Sequence, residues 1–231
     1  MLTFSSLQFY QKKKDFLLYK ACDTSRHYIL KCTDSSELAV QQALHDEYEA
    51  LSALSHPCVP AYYGFLKNLV LPDRPGHFSA LCMEDRLFSS SVPFSSLSLT
   101  EMIHILLQTA ETLSFLLQKG ILYTDLNLSN LLVHRKEEKV YLSLVDYTYC
   151  YYFLANPHPL YPLRFSYDLS LQLDGQQLLI QELSLLLQEM LDSQPALPVS
   201  SDVYRLLETG KNPPSGLLLS DFSVMIRQIL I

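Results

Sequence analysis

The chain has 231 residues, of which 48% are hydrophobic and 18% charged, and its formal net charge is −7. This composition supports a sizeable buried core and a globular fold. The acidic balance disfavours a general nucleic-acid binder or a membrane-surface protein, because both need a basic face to hold phosphate groups.

The five cysteines are scattered and never spaced as CxxC, so they predict neither a disulfide framework nor a zinc knuckle. The first sixteen residues lack a basic segment followed by an apolar one, and the chain contains no apolar run of about 18 residues. We therefore expect no nucleic-acid partner and no membrane span, and an intracellular protein that is cytoplasmic by default.

The first 86 residues carry short aromatic and β-branched runs and one helical pattern. They predict a small antiparallel β lobe with a single helix. The predicted strands are FSSLQFY (4–10), DFLLYKA (15–21), RHYILKC (26–32), VPAYYGFL (59–66) and HFSALCME (77–84), and the predicted helix is 37–55.

The rest of the chain reads as mostly helical. A serine-rich segment, 87–99, is predicted to be a linker into a helix capped by Thr100. The segment 147–173 is aperiodic and reads as a long irregular stretch. Asp174 and Gln177 suit a capping box for the following helix. The predicted elements are helices 100–118, 175–191, 201–209 and 220–231, and the strand KVYLSLVDYT (139–148).

Polar residues interrupt the apolar stretch ILYTDLNLSNLLVH (121–134), which places Asp125 five residues before Asn130. Asp146 follows sixteen residues after Asn130. The interval between them reads as a strand, a charged turn and a second strand. A hairpin of this kind would return Asn130 and Asp146 to one edge, where their oxygens would suit Mg²⁺.

The order of Lys31, Glu47, Asp125, Asn130 and Asp146 resembles that of the protein-kinase fold. In that fold a small β lobe with one helix is hinged to a helical lobe, and the nucleotide binds between them. The resemblance implies an α+β, bilobal, protein kinase-like fold. The whole chain, 1–231, would form one such domain, with an N-lobe (1–86), a hinge or linker (87–99) and a C-lobe (100–231).

The same resemblance implies a role for each residue. Lys31 would contact the α- and β-phosphates of ATP, and Glu47 would be its ion-pair partner. Asp125 would accept the proton of the substrate hydroxyl, while Asn130 and Asp146 would bind Mg²⁺. The other residues implied to contact the nucleotide are Met83, Glu84, Asp85 and Leu132.

Several positions depart from the family pattern. No glycine precedes Gly64, and the glycine-loop slots hold Gln11, Lys13 and Phe16, whose side chains obstruct close approach of the backbone to phosphates. Lys12, Lys13 and Lys14 either substitute by charge or form a solvated turn. Two other loop slots hold Thr124 and Asn127 instead of arginine and lysine. The tripeptide at 146–148 is DYT, which resembles the haspin-like branch, and no APE motif follows it.

Each polar residue, taken alone, also has an ordinary structural interpretation as a surface charge, a turn cap or a strand end. Their joint order leaves three functions open. The first is an ATP- and Mg²⁺-dependent kinase acting on a protein hydroxyl, with serine or threonine favoured over tyrosine. The second is a pseudokinase that binds a protein partner without turnover, which the missing glycines and Ile29 favour. The third is a small-molecule phosphotransferase of the choline or aminoglycoside kinase type.

Overall fold

The computed structural model describes residues 3–13, 15–86, 92–148, 150–152 and 172–231, with the backbone alone at 151–152 and 172–174. The chain divides into two compact units, residues 1–88 and 89–231. Lys14, part of the predicted linker (87–91) and most of the predicted irregular segment (149 and 153–171) lie outside the described residues.

The first unit is an antiparallel sheet of five strands with one helix, in the order β1-β2-β3-β5-β4. It confirms the predicted β lobe. Its elements are β1 (Ser6–Lys12), β2 (Leu17–Cys22), β3 (His27–Asp34), α1 (Leu38–Leu51), β4 (Tyr62–Leu71) and β5 (Arg74–Glu84).

The central strand β3 is buried along both faces except at its two ends. Successive side chains of a strand point to opposite faces. Leu30 and Cys32 therefore join one core with Tyr19 and Phe78, and Lys31 projects from the other face. The sequence predicted Lys31 at the end of a strand, but β3 continues to Asp34, so Lys31 lies inside the strand, between two neighbours that hold it in register.

The second unit is mostly helical, as predicted. Its long helix α2 packs against α3, α5 and β8, and side chains such as Met102, Ile105 and Leu113 are fully buried. The elements are α2 (Leu99–Gln118), β6 (Ile121–Leu122), β7 (Leu131–Lys136), β8 (Lys139–Leu144), β9 (Tyr151–Tyr152), α3 (Gln172–Asp192), α4 (Ser201–Lys211) and α5 (Leu219–Ile229).

Two predicted helix caps are wrong. Helix α2 is capped by Ser98 instead of Thr100: Ser98 Oγ accepts a hydrogen bond from the Glu101 backbone, and Glu101 Oε2 accepts one from the Ser98 backbone. This reciprocal pair satisfies two amide groups at the helix start. Helix α3 begins at Gln172, so Asp174 lies inside the helix and is not its N-cap.

A hairpin joins β7 to β8, with Leu131 opposite Leu144 and Lys136 opposite Lys139. Its two-residue turn is Glu137-Glu138, and both residues have positive φ angles, 50° and 61°. Two successive left-handed residues are the mark of the type I′ turn, whose twist suits a hairpin. The register brings the start of β7 beside the end of β8, where the Val145 amide donates to the Asn130 carbonyl at 2.9 Å.

Among the helices in the described part of the chain, none has both the length and the hydropathy that a membrane crossing would require.

Candidate active site

Lys31 and Glu47 form a buried ion pair within the first unit. Helix α1 packs on the sheet beside β3, and Lys31 Nζ lies 3.3 Å from Glu47 Oε2. The side chains are 3% and 0% exposed. Removing both charges from water is costly unless further hydrogen bonds satisfy them.

Tyr62 supplies one such bond. Its hydroxyl, on β4, donates to Glu47 Oε1 at 2.8 Å. Both oxygens of the carboxylate are therefore engaged, one by Lys31 and one by Tyr62, which fixes the orientation of Glu47. Tyr62 was not predicted as a site residue, because no sequence signal links a residue of β4 to a glutamate fifteen positions earlier on a helix.

The other side of the Lys31 ammonium faces an aromatic ring. Lys31 Nζ lies 4.7 Å from the centroid of the Phe16 ring, and Phe16 is only 2% exposed. This is the geometry of a cation–π contact. Phe16 directly precedes β2, where the Lys13 amide donates to the Phe16 carbonyl at 2.9 Å and closes the turn.

Two of the predicted nucleotide contacts, Met83 and Glu84, lie at the end of β5. Met83 is 8% exposed and pairs with Ile29 of β3 and Tyr62 of β4. The Glu84 amide donates to Ala61, and its carboxylate accepts from the Ala61 amide at 3.1 Å and pairs with Arg86 at 2.9 Å.

The remaining predicted contacts lie nearby in sequence or in the second unit. The Asp85 amide hydrogen-bonds the His27 carbonyl at 3.4 Å, which extends the pairing of β5 with β3 by one residue. Leu132 lies on β7 opposite Ser143 and is half-buried, while its neighbours Leu131 and Val133 are buried. Leu132 therefore projects from the opposite face of the hairpin to these two.

In the second unit two amide side chains hold Asp125. Asn127 Nδ2 donates to Asp125 Oδ1 at 3.1 Å, and Asn130 Nδ2 donates to Asp125 Oδ2 at 2.9 Å. Both also donate to the Asp125 backbone carbonyl. The five-residue spacing of Asp125 and Asn130 thus closes a compact loop, and Asn127, in the slot where the family pattern has a lysine, helps to orient the carboxylate.

Asn130 and Asp146 occupy neighbouring positions at the open end of the β7–β8 hairpin. The Asn130 carbonyl accepts from the amide of Val145, the residue before Asp146. Asp146 has a φ of 67°, in the left-handed region that aspartate tolerates better than most side chains. The Asn130 amide nitrogen points at Asp125, so its oxygen, the atom that would bind a cation, occupies the other branch of the amide.

The donor set at this end of the hairpin fits Mg²⁺. Mg²⁺ prefers oxygen ligands and is usually held by one or two carboxylates, with phosphates and water completing its shell. Asn130 and Asp146 offer an amide oxygen and a carboxylate at the ends of two paired strands. The hairpin register thus supplies the local arrangement that the sequence predicted for these two residues, whose role as metal ligands remains a prediction.

Tyr123 contacts the same end of the β7–β8 hairpin. Its hydroxyl donates to the Val145 carbonyl at 2.7 Å, and its ring meets that of Tyr147 edge to face at 5.2 Å. Both tyrosines are fully buried, and burial raises the pKa of Tyr123 well above its ordinary value. Tyr123 therefore remains a neutral hydrogen-bond donor that positions the residues beside Asp146.

His45, Asp46 and Glu49 form a further group of potential metal ligands on α1, among the residues described. His45 Nδ1 lies 3.7 Å from Glu49 Oε1, and Gln42 donates to Asp46. These contacts, each between side chains four residues apart on one helix, account for the group as ion-pair and hydrogen-bond contacts within α1.

Comparison with known proteins supports the interpretation of the fold. A model of the protein kinase domain family matches residues 17–159, which is more than half of the chain. A search of curated proteins finds no match. The matched range runs from the start of β2, through the Lys31–Glu47 pair and the Asp125 loop, to beyond Asp146. The chain therefore belongs to the protein kinase domain family, with the α+β architecture of that family.

Proposed function

We propose that the protein is an ATP- and Mg²⁺-dependent kinase that transfers the γ-phosphate to a protein hydroxyl, with serine or threonine favoured over tyrosine. The observation that carries the proposal is the Lys31–Glu47 pair. Two charges in the interior seldom stabilise a fold more than apolar side chains of similar size would. Their presence is better explained by a ligand that needs a fixed cation, and polyphosphate is such a ligand.

Different predicted site residues would contact different parts of the bound magnesium nucleotide. Bound Mg·ATP would supply the phosphoryl group and neutralise part of its charge. Lys31, oriented by Glu47, would contact the phosphates, and Asn130 and Asp146 would hold the metal ion. Met83 and Glu84 at the end of β5, Asp85 directly after it, and Leu132 on β7 would contact the rest of the nucleotide.

Asp125 would accept the proton of the incoming hydroxyl. A general base must be positioned within hydrogen-bond reach of that proton. The two hydrogen bonds from Asn127 and Asn130 restrict rotation of the Asp125 carboxylate, so it would meet the substrate in one orientation. Both partners are neutral amides, and the loop sequence YTDLNLSN (123–130) contains no lysine or arginine.

A pseudokinase is the second candidate, and two observations in the first unit favour it. Ile29 is 6% exposed and lies on β3 opposite Met83, where its bulk would crowd an adenine ring. Phe16 covers the ammonium of Lys31. Such a protein would bind a partner without turnover. The match to the protein kinase domain family weighs against the third possibility, a small-molecule phosphotransferase.

Transfer of radiolabelled phosphate from ATP tests the proposed chemistry. The acceptors are generic serine- and threonine-containing proteins and the chain itself. In Asp125→Asn, which keeps the shape of the side chain, we expect transfer to fall by about 10²- to 10⁴-fold, because general-base catalysis is lost. Asp202→Asn, on exposed surface of α4, is the matched control and should transfer at the wild-type rate. Equal signals from Asp125→Asn and the wild type would contradict the proposal.

A further inference from the structure

The turn between β1 and β2 places an aromatic side chain where the family pattern has a glycine. Phe16 lies directly before β2, and its ring contacts the Lys31 ammonium at 4.7 Å. Both side chains are almost completely buried, at 2% and 3% exposure. A glycine in this position would leave the ammonium open on that side.

This contact leaves little room for a phosphate group. A charge-assisted hydrogen bond from an ammonium to a phosphate oxygen requires a separation of about 2.7–2.9 Å. The Lys31 Nζ atom already has Glu47 Oε2 at 3.3 Å and the Phe16 ring beside it. With the side chain 3% exposed, a phosphate reaches Nζ only after a neighbour has moved. Phe16 is the neighbour in a turn, whereas Glu47 is held in a helix.

The ring has a place to move to. A cavity of about 380 Å³ lies at the end of the β1–β2 turn, and Phe16 itself lines it together with Lys13, Thr33, Arg74 and Phe78. The cavity is larger than a phenyl ring, and the stems of the long side chains that line it, such as Lys13 and Arg74, offer apolar contact. Phe16 therefore contacts Lys31 and also lines an open space within the same unit.

We propose that Phe16 is a specificity-determining residue that controls access of nucleotide phosphates to Lys31. With the ring on Lys31 the ammonium is covered, and with the ring in the cavity it is open to the phosphates of a magnesium nucleoside triphosphate. The identity of that ligand rests on the proposed function. Because only the open form binds, the apparent affinity for the nucleotide is lowered by the fraction of molecules that are open.

The test removes the ring and measures two properties of the full chain. The variants are Phe16→Ala and, as the matched control, Phe9→Ala, whose ring in the same hairpin faces Arg74 instead of Lys31. The first readout is the rate at which a small amine-acylating reagent modifies Lys31, relative to the exposed Lys67, by mass spectrometry. The second is the affinity for Mg·ATP by calorimetry.

We expect acylation of Lys31 and affinity for Mg·ATP each to rise about tenfold in Phe16→Ala, the effect of losing a desolvated cation–π contact. Phe9→Ala should behave as the wild type. If Phe16→Ala does not melt cooperatively, Phe16→Leu, which keeps apolar bulk without an aromatic face, should give a smaller rise in both readouts.

The outcomes separate the two proposals. Unchanged acylation of Lys31 in a folded Phe16 variant overturns the role of Phe16, whether or not nucleotide binds. Faster acylation with unchanged Mg·ATP affinity overturns it too, because phosphates then do not depend on the ammonium. Faster acylation with no nucleotide binding in any variant supports the covering of Lys31 by Phe16 but overturns the proposed function.

Discussion

At the scale of single residues, Lys31, Glu47 and Tyr62 form a buried polar group that is held together by an ion pair and a hydrogen bond. The carboxylate of Glu47 has one oxygen on a cation and the other on a hydroxyl, and none of the three side chains is more than 8% exposed. Breaking such a group from one side leaves a buried charge without its partner, whereas replacing it entirely by apolar side chains removes the desolvation cost as well.

Substitutions in this group should therefore have opposite effects depending on how many partners are removed. We expect Glu47→Leu to lower the free energy of unfolding by about 3–5 kcal/mol, because the buried Lys31 side chain loses the charge that pairs with it. The triple variant Lys31→Met/Glu47→Leu/Tyr62→Phe should recover most of that loss. Urea denaturation of the wild type and both variants measures the difference.

The control for this comparison is an exposed pair. Arg205→Ala breaks the contact with Asp202 on α4, whose side chains are 74% and 58% exposed. Since exposed pairs contribute little, this change should leave the free energy of unfolding within about 1 kcal/mol. A triple variant as unstable as Glu47→Leu would show that the pair maintains the fold, and would remove the main support for a ligand-binding role.

At the scale of elements, one glycine sets how closely two helices of the second unit approach. A Cβ atom at Gly210, in α4, would lie 2.6 Å from Ser184 Cβ on α3 and 3.1 Å from the Phe222 ring on α5. Ser184 Oγ also donates to the Leu207 carbonyl at 2.8 Å. Here the backbone of α4 packs against side chains of α3 and α5. This contact is possible because Gly210 has no Cβ atom.

Gly210→Ala should therefore destabilise the protein, although alanine is the better helix former. In an exposed helix the same change would stabilise by about 1 kcal/mol, but here overpacking should cost about 1–3 kcal/mol. A double-mutant cycle with Ser184→Gly tests the cause by thermal or urea unfolding. The double variant should be more stable than the sum of the two single changes predicts. Simple additivity would mean that the contact with Ser184 is not the origin of the loss.

At the scale of the whole molecule, nucleotide binding should stabilise the folded chain. A ligand that binds only the native state adds RT ln(1 + [L]/Kd), which is about 2.7 kcal/mol at a concentration of 100 Kd. For a chain of this size each kcal/mol shifts the melting temperature by about 2–4 °C. We expect Mg·ATP at millimolar concentration to raise the melting temperature, and Lys31→Met to remove most of the shift. Mg²⁺ with adenosine serves as the control, since it lacks the phosphates that Lys31 would contact.

This measurement also distinguishes the two candidate functions. A shift in melting temperature accompanied by phosphate transfer supports the kinase, and a shift without transfer supports a nucleotide-binding pseudokinase. No shift at millimolar nucleotide in either the wild type or Phe16→Ala would contradict the assignment of Lys31, Asn130 and Asp146 to a nucleotide site.

The sequence by itself determined most of the element types, because their apolar periodicity and turn residues are local signals. The β-rich first unit, the helical second unit and the hairpin between Asn130 and Asp146 were all predicted, whereas the two-residue strands β6 and β9 were not, and β9 lies in the segment predicted to be irregular. It also determined the order of the polar residues by which the family is identified, and the absence of glycine from the β1–β2 turn. Residues close in sequence carry these signals, and they need no knowledge of packing.

Only the tertiary structure decided which side chains meet across long separations. The hydrogen bond of Tyr62 to Glu47, the Phe16 ring on Lys31 and the approach of Gly210 to Ser184 each join elements that the sequence does not link. The caps illustrate the same limit at short range, since Ser98 and Thr100 are both acceptable cap residues and the reciprocal bond to Glu101 selects the first. Such contacts depend on strand order, register and helix placement, which are set by burial of the whole core and not by any local pattern.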